Sequence, residues 1–229
     1  MNWKDKLRQF LQAAPEQVSG EQAFDSLIKN MQEYLDEHNV PLQVLPGADV
    51  RIEADMLARL NSGEVVSLAD HRKHVLLELP HEIYVPLEGL VEQLERAGMV
   101  GILSHPERNQ GILKEPELIR PLVERGCLMQ VTAGSLMGTF GTRSADLSVD
   151  MLERNEVHFL ATDAHGPKSR RPLLSRAFER AAELVGEDKA FEICCHNPAA
   201  VAEGRSVVIT PPKSPSRGIS RWLPWRRAA

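Results

Sequence analysis

"GILSHPERN", residues 101–109, decides how the rest of the chain is read. Gly101 to Leu103 continue an apolar run begun at Met99, and the run stops at Ser104, His105, Pro106, Glu107 and Arg108. A run that is apolar on both alternating faces suits a strand buried on both sides, as in a parallel sheet covered by helices. Its polar end then falls where such sheets gather their chemistry, at the carboxyl ends of the strands. The same ending recurs along the chain. "PLQVLPGADV" (41–50) closes on Asp49, and "KHVLLELPHE" (73–82) holds Glu78. "CLMQVTAGS" (127–135) holds Thr132, and "VHFLATDAHG" (157–166) closes on Asp163 and His165.

Helical patterns separate these runs. Residues 19–39 carry Phe24, Leu27, Ile28, Met31 and Leu35 at helical spacing, with Ser19 as N-cap and Gln22 in the capping-box position. Helices are also predicted over 52–63, 87–98 and 115–126, ended by Gly63, Gly98 and Gly126, and over 145–155. Three more follow at 171–186, 187–195 and 197–203, the last with Asn197 as cap and Pro198 in the first helical position. Strand alternating with helix gives an α/β fold with a mostly parallel sheet and surrounding helices.

The 229 residues, 42% of them hydrophobic, suffice for one sizeable core. Cys127, Cys194 and Cys195 form no spaced disulfide framework, and the first residues lack a signal-peptide core, so a cytoplasmic location is expected. Residues 206–229 hold Lys213, Arg217, Arg221, Arg226 and Arg227 and no acid; of the net charge of −5, the body therefore carries −10. An acidic body argues against a nucleic-acid partner. The Pro-, Ser- and Arg-rich region 205–229 reads as a disordered tail, and Trp222 and Trp225 among its arginines suit peripheral contact with an anionic membrane.

Asp49, Glu78, His105, Asp163 and His165 are the candidate metal ligands. Carboxylate oxygens mixed with imidazole nitrogens suit Mn, Fe or Zn, and several carboxylates favour Mn or a multi-metal cluster. Glu78 lies inside the apolar "VLLEL", where a carboxylate needs a partner, and Asp163 and His165 sit two apart in an extended segment, facing one side. An isolated Asp49 would more often be a helix cap or a solvated loop residue. Arg108 is placed to grip a phosphate bidentately, with Arg170 and Arg171 nearby in sequence. No arginine follows any cysteine at the spacing of a cysteine-dependent phosphatase, and GxxxxGK[ST], GxGxxG and GxSxG are absent.

"PGADVRI", "HVLLELPHE", "GILSHPERN", "QVTAGSLMGTFG" and "FLATDAHG" followed by "RRP", in this order, resemble the PHP (polymerase and histidinol phosphatase) superfamily. The nearest branch is the manganese-dependent protein-tyrosine phosphatases of bacterial capsule and exopolysaccharide operons. The resemblance covers roughly residues 20 to 204 and implies a distorted (βα)7 barrel holding two or three divalent ions. It implies that Glu78, His105, Asp163 and His165 are metal ligands, and that Asp49 stands where better-known members carry Glu. It also implies that Arg108 holds the substrate phosphate as the catalytic arginine, with Arg171 as a second phosphate-binding residue. The D-x-H-x-H opening of that family is missing here, which implies an incomplete barrel lacking its first strand and most or all of its second, with an open sheet edge. The implied function is hydrolysis of phosphotyrosine on a bacterial tyrosine kinase controlling polysaccharide export. A PHP phosphoesterase for a small substrate such as histidinol phosphate, and a non-catalytic remnant that binds a partner through Arg108, are the alternatives.

Overall fold

The computed structural model describes residues 20–166 and 170–213. Helix α1 (Gly20–Glu37) leads by an irregular stretch to strand β1 (Asp49–Arg51) and helix α2 (Met56–Ser62). Strand β2 (His74–Glu78), helix α3 (Glu88–Arg96) and strand β3 (Val100–Ser104) follow. A 3-10 turn (Pro106–Arg108) then leads to α4 (Gln110–Lys114), α5 (Ile119–Glu124), β4 (Leu128–Thr132) and α6 (Ala133–Leu136). The chain continues through α7 (Thr142–Glu153), β5 (Phe159–Ala161), α8 (Ser175–Val185), α9 (Glu187–Phe191), a π-helical turn (Glu192–His196) and α10 (Asn197–Ala202).

The five strands form one parallel sheet in the order β1-β2-β3-β4-β5. Among the described residues β1 and β5 each pair on one side only, so the sheet is open rather than a closed barrel. Successive side chains point to opposite faces, and two cores result. Leu77, Leu103, Met129, Val131 and Leu160 join the larger cluster with α3, α5 and α7, while Ile102, Leu128 and Phe159 face Val201 of α10. Each such side chain taken fully out of water contributes about 1.5–3 kcal/mol. Gly101 is small because a methyl there would sit 2.8 Å from Leu77 Cδ1, against the helix layer.

The expected alternation holds, with local differences. The predicted strand over 41–50 shrinks to Asp49–Arg51, because Pro41 and Pro46 have no N–H for a ladder. The predicted helix over 115–126 becomes a 3-10 turn at Pro116–Leu118 and then α5. Helices α4 and α6 were not expected; Asn109 starts the first by accepting a hydrogen bond from Ile112 N. Asn197 does not cap α10: its amide donates to His158 O on the strand side at 2.9 Å. Gly63, Gly98 and Gly126 all take positive φ, as helix ends require.

Beyond α10 the chain is tied down as far as residue 213. Asn155 donates to Thr210 O and Pro211 O, Lys213 N donates to Arg154 O, and Arg120 donates to Lys213 O. The start of the region read as disordered is therefore docked on the body. Residues 214–229, with the expected membrane contact at Trp222 and Trp225, and the expected cap Ser19 lie outside the described residues. No described helix is long and apolar enough to cross a membrane.

Candidate metal and phosphate site

Parallel register brings three strand ends together. Arg51 lies opposite Glu78, and Ser104 ends β3 beside them. Asp49, Glu78 and His105 each offer a ligand atom within 4.8 Å of the other two. His105 Nε2 lies 3.5 Å from Glu78 Oε1, and the buried Ser104 hydroxyl donates to Asp49 Oδ1 at 3.2 Å. Asp49 is exposed as a residue, yet crowding around its carboxyl and the neighbouring Glu78 raise its pKa to about 6. Two carboxylates and a neutral imidazole with ligand atoms this close together are a donor set that fits a hard or borderline divalent cation. Burial, with Arg108 nearby, lowers His105 to about 4, so the imidazole is neutral and able to donate its lone pair.

His105 reaches this position in a left-handed conformation, φ 34° and ψ 52°, and Asp163 is likewise at φ 48°. Non-glycine residues avoid this region, and strain of this kind is concentrated at functional sites.

Asp163 and His165 adjoin the triad but are engaged elsewhere. Arg108 Nη1 donates to Asp163 Oδ2 at 2.7 Å, and the Arg170 guanidinium pairs with the same oxygen. Arg170 Nη1 also lies 3.0 Å from His165 Nε2, and His165 N donates to Arg170 O. The guanidinium of Arg108 stacks 4.3 Å from the centroid of the Phe140 ring, with that of Arg170 at 5.8 Å. Arg171, the expected second grip, is exposed; Arg170 is the arginine that turns inward. Glu78, Ser104, His105 and Arg108 line one cavity of about 230 Å³, to which Arg51 and His81 also contribute.

Sequence reasoning did not single out three residues that shape this site. Ser104 appears only as the small residue before His105, and Phe140 sits in the unremarkable "GTFG". Glu107, between His105 and Arg108, is completely buried, which its charge alone would not suggest. Its carboxyl is pushed above the usual range by that burial.

The chain matches the family of CpsB/CapC capsular polysaccharide synthesis proteins over residues 12–203. The tyrosine-protein phosphatase YwqE of Bacillus subtilis (strain 168) is 39% identical over 136 residues, which cover 58% of this chain and 53% of that protein. The tyrosine-protein phosphatase CpsB of Streptococcus pneumoniae is 26% identical over 165 residues, covering 70% of this chain and 68% of that one. The chain thus spans about half the length of the first of these relatives. The fold is similar to a solved chain from the crystal structures of YwqE from Bacillus subtilis and CpsB from Streptococcus pneumoniae, described as metal-dependent tyrosine phosphatases. The TM-score is 0.80 at 30% identity, over 85% of this chain and 78% of that one.

Proposed function

Because the chain belongs to the CpsB/CapC family of capsular polysaccharide synthesis proteins, we propose that it hydrolyses phosphotyrosine in proteins with the help of bound divalent metal. The observation that carries this reading is the convergence of Asp49, Glu78 and His105, the last two lining one cavity together with Arg108. Those three residues would hold the metal, with Asp163 and His165 adjoining; manganese is the ion we favour, two or three per site. When bound, the cation supplies Lewis-acid charge neutralisation and lowers the pKa of nearby water.

The remaining work falls to side chains. Arg108 and Arg170 present guanidinium edges to one carboxylate oxygen, the arrangement that also suits a phosphoryl oxygen. They orient the phosphate and balance the charge that develops on its oxygens. Phe140 keeps Arg108 flat against an apolar surface, so little rotamer freedom is lost when substrate binds. Asp163 balances the two cations, and Ser104 holds the Asp49 carboxylate in place. A phosphotyrosine segment of a bacterial tyrosine kinase at the cytoplasmic face of the membrane is the substrate we favour.

The test is phosphate release from a tyrosine-phosphorylated peptide with added Mn²⁺, for the wild type beside His105→Ala and Arg108→Ala. Turnover by the wild type, lost in both variants, is expected. No turnover by the wild type with Mn²⁺, Zn²⁺ or Fe²⁺, or equal turnover by His105→Ala, would overturn the proposal. Metal and phosphate binding without turnover would favour a binding module.

A further inference from the structure

The Glu107 side chain is 0% exposed. One carboxyl oxygen accepts from Thr132 N at 3.0 Å and from the Ser135 hydroxyl at 2.6 Å. The other oxygen is buried with no hydrogen-bond partner. No arginine or lysine pairs with this carboxyl among the described residues. An apolar residue of similar shape would avoid the desolvation cost, so stability alone does not account for an acid here.

Its surroundings do. Glu107 lies on the 3-10 turn between His105 and Arg108, and Thr132 and Ser135 belong to the end of β4 and to α6. The next residue back in α6, Gly134, has no side chain, and Phe140 fills the space: a methyl on Gly134 would stand 3.0 Å from Phe140 Cε2. Phe140 in turn carries the Arg108 guanidinium on its ring. The contacts close a ring: Arg108 backbone to Glu107, Glu107 to Ser135, Gly134 to Phe140, and Phe140 back to the Arg108 guanidinium.

We propose that Glu107 is a positioning residue for Arg108: its buried carboxyl locks the turn onto α6, and this sets the guanidinium against Phe140 in the orientation that receives a phosphate. The metal ligands do not depend on this lock to the same degree. Asp49 and Glu78 come from β1 and β2, and His105 N is separately bonded to Gln130 O at 2.9 Å. Glu107 therefore acts on phosphate affinity more than on metal affinity. The inference rests on the phosphate role of Arg108 in the proposed function, not on turnover itself.

The experiment compares wild type, Glu107→Ala, Glu107→Gln and Ser135→Ala. Each is titrated calorimetrically with Mn²⁺, then, Mn²⁺-loaded, with inorganic phosphate. For Glu107→Ala we expect phosphate affinity to fall tenfold or more while Mn²⁺ affinity changes less than threefold. Glu107→Gln keeps an acceptor oxygen for Thr132 N and Ser135 and should recover phosphate affinity to within about threefold. Ser135→Ala, which removes one of the two bonds, should fall between them and serves if Glu107→Ala does not fold. Unchanged phosphate affinity in Glu107→Ala, or a parallel loss of Mn²⁺ and phosphate, would overturn the inference. So would failure of Glu107→Gln to recover. A wild type that binds phosphate through Arg108 but does not turn over phosphotyrosine would defeat the proposed function and leave this inference standing.

Discussion

Acid should weaken this fold through His158, and the size of the effect follows from its burial. His158 is 3% exposed on the strand side, and its Nδ1 accepts the backbone N–H of Met129 at 3.1 Å. A proton on Nδ1 would face that N–H, and burial, with Lys189 adding a smaller push, lowers the imidazole from 6.5 to about 4. The folded state thus binds fewer protons than the unfolded state between these values, so stability rises with pH there. The contribution is complete above pH 6.5 and is lost as the pH falls toward 4; the full gap corresponds to roughly 3 kcal/mol. By pH 4.5 about 2.5 kcal/mol of it should be gone. Asp49, Glu107 and Glu156 have raised pKa values and act in the opposite direction, so the wild-type curve alone is not diagnostic. Urea unfolding of wild type and His158→Gln between pH 7.5 and 4.5 cancels those shared groups. Wild type should be the more stable by about 1–2 kcal/mol at pH 7.5, through the hydrogen bond and packing that glutamine reproduces poorly. The order should then reverse near pH 4.5. A difference between the two proteins that stays constant over this range would refute the reasoning.

Three further outcomes are expected. Asn109 is 4% exposed and its amide donates to Pro80 O and Ile83 O while accepting from Ile112 N; Asn109→Ala should cost about 3 kcal/mol in urea unfolding, one cap and two hydrogen bonds at about 1 kcal/mol each. At Gly111 a methyl would stand 2.5 Å from Tyr84 N and 2.7 Å from Tyr84 Cβ; Gly111→Ala should destabilise by about 1–3 kcal/mol, and an unchanged urea midpoint would show that the loop yields freely. Saturating Mn²⁺, at about 100 times Kd, should raise the wild-type Tm by roughly 5–10 °C through mass action, and Glu78→Gln should lose most of that rise.

Much of this protein could be read from residue order alone. Apolar runs stopping at polar residues located β2, β3, β4 and β5, and glycines at 63, 98 and 126 marked helix ends, because both are local consequences of side-chain facing and backbone freedom. The same pattern nominated Asp49, Glu78 and His105, which the sheet brings within ligand distance of one another. It could not decide which candidates meet, because the distance between strand ends far apart in sequence is set by register: Arg51 beside Glu78, Leu103 beside Leu77, Ser104 beside Gln130. It also could not tell Arg170 from Arg171, since neighbouring residues differ only in the direction the folded backbone gives them. Above all it could not see that Glu107 is sealed in the interior. A carboxylate is normally a surface residue, and only the packing of β4, α6 and α7 around the turn takes this one out of water.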